Sequence, residues 1–177
     1  MNLPNKLSIA RTLCIPIIVV LLYQQTPDCR IAAGIIFILA CLTDLLDGKI
    51  ARRYHLVTDF GKFIDPVADK LLVLTTLIML LHLRMIEAWM LVLILSRELA
   101  VDGLRMVAVS QGKVIAAGPL GKWKTTCQMV LISLMILLNL SVYQVWPITV
   151  LMIITLLLTV ISGVDYFVWN ASVLQEK

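Results

Sequence analysis

The sequence predicts an all-α integral membrane protein of six transmembrane helices, and three observations predict it. Sixty per cent of the 177 residues are apolar and 15% are charged, with a mean hydropathy of +0.97; ordinary soluble domains run at roughly half and about a quarter. Apolar runs recur along the whole chain. At ~20 residues per crossing, six spans leave about 57 residues for every loop and terminus, so 1–177 reads as a single transmembrane domain with no room for a separate soluble one. Finally, no ten-residue alternation of apolar and polar residues is present. Lipid offers an exposed backbone amide no partner, so the spans are helices and not barrel strands.

The first span, 7–23, follows Lys6 and includes Arg11, a charged flank before an apolar core that superficially fits a signal peptide. Gln24-Gln-Thr-Pro-Asp28 then follows with no small-x-small cleavage site, so the segment is expected to be retained. The other spans are 31–52, 61–83, 89–109, 121–140 and 146–169. Several of their apolar runs are shorter than a crossing, so each span takes in flanking polar residues. Trp89, Trp146 and Trp169 fall near span ends, where interfacial anchors belong. The eight methionines fill packing gaps. Cys14, Cys29, Cys41 and Cys127 are scattered and suggest neither a disulfide framework nor a metal site.

Orientation follows from the basic residues. With six spans, one side holds Lys6, Arg11, Lys49, Arg52, Arg53, Lys62, Lys70, Arg105, Lys113, Lys122, Lys124 and Lys177, and the opposite loops hold only Arg30 and Arg84. The positive-inside rule places both termini in the cytoplasm. The pI near 9.0 needs no nucleic acid to explain it, since anionic headgroups or a phosphate-bearing substrate at that face suffice.

The chemistry gathers where the second and third spans join. Asp44-Leu-Leu-Asp47-Gly48-Lys-Ile-Ala51-Arg52 is followed by Gly61-Lys-Phe-Ile-Asp65-Pro-Val-Ala-Asp69. Residues three or four apart share a helix face, so Asp44 pairs with Asp47 and Asp65 with Asp69. The short connection makes the two helices antiparallel neighbours, and four carboxylates converge at the cytoplasmic edge. Such a cluster repels itself or takes up protons unless partnered. Two divalent cations neutralise it, and hard oxygen donors suit Mg²⁺ or Mn²⁺. A two-metal site is a recurrent device for phosphoryl displacement. Gly48 and Ala51 keep the same face open for a ligand. An N-cap role for Asp65 ahead of Pro66 would account for only one of the four acids.

The stretch from Asp44 to Asp69 resembles the signature of the CDP-alcohol phosphotransferase family, D-x2-D-G-x2-A-R-x8-G-x3-D-x3-D, with all eight specified positions filled. The resemblance implies a six-helix membrane enzyme, usually a homodimer, that displaces CMP from a CDP-linked substrate with an incoming hydroxyl. It implies that Asp44, Asp47 and Asp65 are metal ligands and that Asp69 is a ligand or the general base. It further implies that Asp47, Gly48, Ala51, Arg52 and Gly61 form the nucleotide and CDP-lipid pocket. Asn2-Leu-Pro-Asn5, Arg11 and Ser162-Gly-Val-Asp165-Tyr166-Phe167 extend the similarity to the bacterial phosphatidylglycerophosphate synthase branch of that family. That branch implies CDP-diacylglycerol and sn-glycerol 3-phosphate as substrates, a membrane-lipid setting and the bacterial inner membrane.

An acceptor phosphate needs fixed cations. Ser96-Arg97-Glu98-Leu-Ala-Val-Asp102-Gly-Leu-Arg105 puts Arg97 and Arg105 two turns apart on one face, and Gly121-Lys122-Trp-Lys124 opens the fifth span. Arg105, Lys122 and Arg97 are the candidates, although both arginines have Glu98 and Asp102 as alternative partners. Lys124 reads as a snorkelling headgroup anchor, and His55 as an ordinary loop residue. Same-fold enzymes with another acceptor, of the cardiolipin synthase or phosphatidylinositol-phosphate synthase type, are the near alternative. A divalent-cation transporter would also carry intramembrane acids. It would place them near the midplane, however, whereas these four lie toward one side.

Overall fold

The computed structural model describes residues 3–53, 59–113, 115–116 and 118–173, and the side chains of 7–44, 67–113, 115–116 and 118–173. Among them are six long helices and no strand: α1 (Leu3–Gln24), α2 (Pro27–Arg53), α3 (Asp59–His82), α4 (Ala88–Ser110), α5 (Pro119–Leu138) and α6 (Trp146–Trp169), closed by a 3-10 turn at Ala171–Val173. The shortest, α5, has 20 residues, about 30 Å at 1.5 Å per residue, the thickness of a hydrocarbon core. Two segments, Leu7–Gln24 and Trp146–Trp169, are long and apolar enough to cross a membrane on composition alone.

Caps and prolines set the helix ends. Thr26 Oγ1 accepts the backbone N–H of Cys29, and Pro27 occupies the first helical position of α2. Helices α3, α4 and α5 end on left-handed residues, Arg84, Gly112 and Asn139. In each case the next backbone N–H reaches back to the carbonyl five residues earlier: Met85 to Leu80, Lys113 to Ala108 and Leu140 to Met135.

The outward faces of α1 and α6 are apolar, and the interior holds polar side chains beside its apolar core. Along α6 the exposed positions are Val150, Ile153, Ile154, Leu157, Val160, Ile161, Val164 and Val168, whereas Thr155, Thr159 and Ser162 are buried. These three hydroxyls donate to carbonyls one turn back, at Leu151, Thr155 and Thr159. In α1, Leu13, Ile17 and Val20 are exposed while Ser8 and Arg11 are buried. Water rewards the opposite arrangement, and lipid rewards this one. The four tryptophans, Trp89, Trp123, Trp146 and Trp169, stand exposed near helix ends.

The chain forms two compact units, one of residues up to Met85 with Ile132–Leu140, the other of Ile86–Leu131 with 141–177. In the first, α1 packs along α2 and α3. Tyr23 stacks on His82 with ring centroids 5.7 Å apart, so α1 and α3 end side by side and run parallel. In the second, α4 packs on α6. Arg97 reaches Ser162 and, two turns on, Arg105 reaches Tyr166, so these helices also run parallel. Alternating crossings require that parity of the first and third helix, and of the fourth and sixth.

Gly34 marks a close helix approach in the first unit, where an added Cβ would stand 2.5 Å from Leu137 Cδ2 and 3.3 Å from Ile136 Cγ2. Gly34→Leu is therefore expected to cost about 1–3 kcal/mol by overpacking and to lower Tm in detergent. Gly103→Ala enters open space inside α4 and should hold or raise Tm, Ala being favoured over Gly in helices by about 1 kcal/mol. Equal effects at the two positions would contradict this packing.

Candidate active site

In the first unit three helices bring charge to one place. Arg11 on α1 is 2% exposed, and its Nη1 lies 2.8 Å from Oδ1 of Asp44 on α2. Cys41, one turn before Asp44 and buried, feels the charges of Asp69, Asp44 and Arg11 together. Asp44 of α2 and Asp69 of α3 thus both lie within electrostatic reach of Cys41, at the end of the unit away from the Tyr23–His82 stack.

Asp47, Gly48, Ala51 and Arg52 fall in α2, and Gly61 and Asp65 in α3. The side chains of these six, and all of His55, lie outside the described residues. Asp47 follows Asp44 by three positions within continuous helix, and Asp65 precedes Asp69 by four, as the face-sharing argument requires. Among the described residues no three His, Cys, Asp or Glu side chains gather as a metal site. What the described part offers is carboxylate oxygen from two adjoining helices, a donor set that fits a hard divalent cation.

The second unit holds a part-buried charge cluster. Glu98 Oε1 accepts from Lys124 Nζ at 2.5 Å and from Arg97 Nη1 at 3.2 Å, and Arg97 Nη2 donates to Ser162 Oγ at 3.1 Å. Two glycines make room for this arginine. A Cβ at Gly163 would stand 3.1 Å from Arg97 Cγ, and one at Gly121 would stand 3.4 Å from Nη2. Lys124 is 2% exposed, which corrects the snorkelling reading: its ammonium turns inward to Glu98 because a carboxylate is there to receive it. Arg97 has taken the Glu98 partner that its neighbours in sequence offered.

Arg105 instead donates from Nε to Tyr166 Oη at 3.0 Å, its Cζ lying 5.4 Å from the ring centroid. Lys122 stands exposed in the first turn of α5. Asp165 Oδ1 accepts the indole N–H of Trp169 at 3.0 Å. Beside it Tyr166, Asp165, Asn170 and residues 115, 116 and 118–120 line a cleft of about 380 Å³.

Against this geometry, the model of the family described as CDP-alcohol phosphatidyltransferase matches residues 1–162. The chain belongs to the CDP-alcohol phosphatidyltransferase family. Every candidate residue from Asp44 to Lys122 lies within the match, whereas Tyr166 lies beyond it. A Bacillus subtilis relative called CDP-diacylglycerol–glycerol-3-phosphate 3-phosphatidyltransferase is 42% identical, covering 98% of this chain and 97% of its own length. A Rickettsia bellii relative of the same name is 40% identical over 94% of this chain and 93% of its own. A Mycobacterium tuberculosis relative called a probable phosphatidylglycerophosphate synthase is 42% identical over 93% of this chain and 79% of its own. As a family member the chain is a membrane phosphatidyltransferase, an enzyme of phospholipid biosynthesis.

In the sequence Arg11 marks orientation and family resemblance but shows no partner, and Glu98 stands only as an alternative partner for the arginines. The available signal was their position, since an ionisable residue within a span is a functional or pairing residue by default. Removing Glu98 leaves Arg97 and Lys124 facing each other without the anion between them. Breaking a buried pair in this way costs about 3–5 kcal/mol, so Glu98→Ala should lower Tm by many degrees, and adding Lys124→Met should recover most of the loss. An unchanged Tm in Glu98→Ala would show that the cluster contributes nothing to stability.

Proposed function

We propose that the chain transfers a phosphatidyl group from CDP-diacylglycerol to sn-glycerol 3-phosphate, giving phosphatidylglycerophosphate and CMP. The observation that carries this reading is the complete eight-residue acidic motif inside near-full-length similarity to relatives of that name. The enzyme acts in the bacterial inner membrane as a six-span homodimer, with both termini and the active site on the cytoplasmic side. The basic residues of that side and the outward apolar faces support this topology.

Asp44, Asp47, Asp65 and Asp69 would hold two divalent cations, Mg²⁺ or Mn²⁺. Such ions, when bound, neutralise the diphosphate and ease departure of the nucleotide. Arg11, fixed in the interior, orients Asp44 through its 2.8 Å contact. Gly48, Ala51 and Gly61 leave room for the nucleotide, and Arg52 meets its negative charge. Arg105 and Lys122 bind the acceptor phosphate, and Arg97 adds positive charge from within the Glu98 cluster.

Asp69 receives the proton. An alcohol is a poor nucleophile near pH 7, so the sn-1 hydroxyl of glycerol 3-phosphate must lose its hydrogen as its oxygen bonds the phosphorus that carries the diacylglycerol. The bond from that phosphorus to the bridging oxygen breaks, and CMP leaves with the electron pair, in line with the attack. Asp69 lies one turn along α3 from Asp65, which keeps a carboxylate beside the reacting centre.

Three outcomes test the reading in purified enzyme with CMP release as the measurement. Thorough chelation should abolish turnover, as should Asp44→Asn or Asp65→Asn by orders of magnitude without loss of membrane insertion. Full activity in chelator would defeat the two-ion site. Asp69→Asn should bind CDP-diacylglycerol yet turn over ~10²-fold more slowly, the usual cost of a lost general base, while His55→Ala stays near wild type. An inactive His55→Ala beside an active Asp69→Asn would reverse the assignment. Lys122→Ala should raise the KM for glycerol 3-phosphate and leave CDP-diacylglycerol binding alone, whereas equal loss of both would place Lys122 on the diphosphate.

A further inference from the structure

Arg105 is held from one side. Its Nε donates to Tyr166 Oη at 3.0 Å, and its Cζ stands 5.4 Å from the centroid of the same ring. Among the described residues its two terminal nitrogens meet no acceptor. Arg97 differs, its Nη1 and Nη2 being taken by Glu98 and Ser162. A guanidinium gripped at Nε keeps its Nη1/Nη2 edge, which presents two parallel N–H groups at the spacing of two phosphate oxygens.

The grip is rigid. Tyr166 is 6% exposed and packs in one cluster with Val101, Leu104, Ala108 and Val173, flanked by Ile115 and Phe167. Its ring is therefore fixed by α4, by its own helix and by the closing turn. Arginine is a long side chain with many rotamers, and fixing it at Nε removes most of that freedom before any ligand arrives.

We propose that Tyr166 is a positioning residue for the acceptor: its phenol oxygen holds Arg105 at Nε so that the free edge of the guanidinium meets a phosphomonoester bidentately. The proposal rests on the reading that Arg105 binds the acceptor phosphate and adds the residue that makes that binding strong. Tyr166 is buried for this contact as well as for packing, and the hydroxyl separates the two roles. Tyr166→Phe keeps the ring, its packing and its face toward the guanidinium, and deletes only the acceptor oxygen.

The test is steady-state kinetics of the full-length enzyme with glycerol 3-phosphate and CDP-diacylglycerol varied in turn. Tyr166→Phe should raise the KM for glycerol 3-phosphate about tenfold, as loss of a hydrogen bond to a charged group does. The KM for CDP-diacylglycerol and kcat should stay within about twofold, a split that general loosening of the helix pair would not produce. Arg105→Ala should raise the same KM, and adding Tyr166→Phe to it should change nothing further. In Arg105→Lys, which has no Nε–H to hold in this way, Tyr166→Phe should likewise have no effect. A normal KM in Tyr166→Phe beside a raised one in Arg105→Ala overturns the positioning role and leaves Arg105 as the phosphate ligand. Independent, multiplying effects in the double variant also overturn it. An unchanged KM in Arg105→Ala removes the reading and the proposal together.

Discussion

A guanidinium withdrawn from water has to be met by an anion, and in this chain Arg11, 2% exposed, is met by Asp44. The same requirement governs Lys124, which turns to Glu98 although its stem could have carried it outward. Charge is placed inside because apolar residues occupy the outside. The outward face of α6 is unbroken Val, Ile and Leu from Val150 to Val168, about five turns, while its inward face carries Thr155, Thr159 and Ser162. Each of those hydroxyls satisfies itself on its own helix, and Ser162 also receives Arg97. Inward polarity is thus what builds sites in this protein, and the ion pairs fix where its helices touch.

Helix parity then decides which residues share an end. With α1 and α3 parallel and α2 antiparallel to both, Arg11, Asp44 and Asp69 fall together although 58 positions separate the first from the last. In the second unit the parallel course of α4 and α6 lets Arg97 and Arg105 each find a partner on the same neighbour, one turn apart at Ser162 and Tyr166. The first unit thus carries the acids Asp44 and Asp69, and the second carries the cations Arg97, Arg105 and Lys124. The diphosphate calls for neutralisation at the bond that breaks, and the acceptor calls for a fixed cation that holds it by its phosphate.

The helices themselves were plain in the sequence, and their ends were not. Span 146–169 coincides with α6 because Pro147 near its start and Asn170 after its end bound an apolar run on both sides. The second helix starts at Pro27, four residues before the hydropathic boundary, because Thr26 caps it and proline suits the first turn. The fifth starts at Pro119, where proline again suits the first turn. Hydropathy marks where lipid begins, whereas caps mark where the helix begins. The acids were legible because fixed spacing on a helix is a local property. The pairing of Arg11 with Asp44, the inward turn of Lys124 and the hold of Tyr166 on Arg105 were not, since each depends on which helix lies next to which. A charge count along the chain carries no such information.

The proposed chemistry turns on glycerol 3-phosphate being the alcohol that this family member joins to the phosphatidyl group. It is tested most directly by release of CMP from CDP-diacylglycerol by the purified protein in mixed micelles with Mg²⁺. Glycerol 3-phosphate, inositol phosphate, serine and phosphatidylglycerol are supplied one at a time, and the lipid product is identified by mass. Rapid CMP release is expected with glycerol 3-phosphate alone, matched mole for mole by phosphatidylglycerophosphate. Faster release with any of the other three, or none with glycerol 3-phosphate, would contradict it.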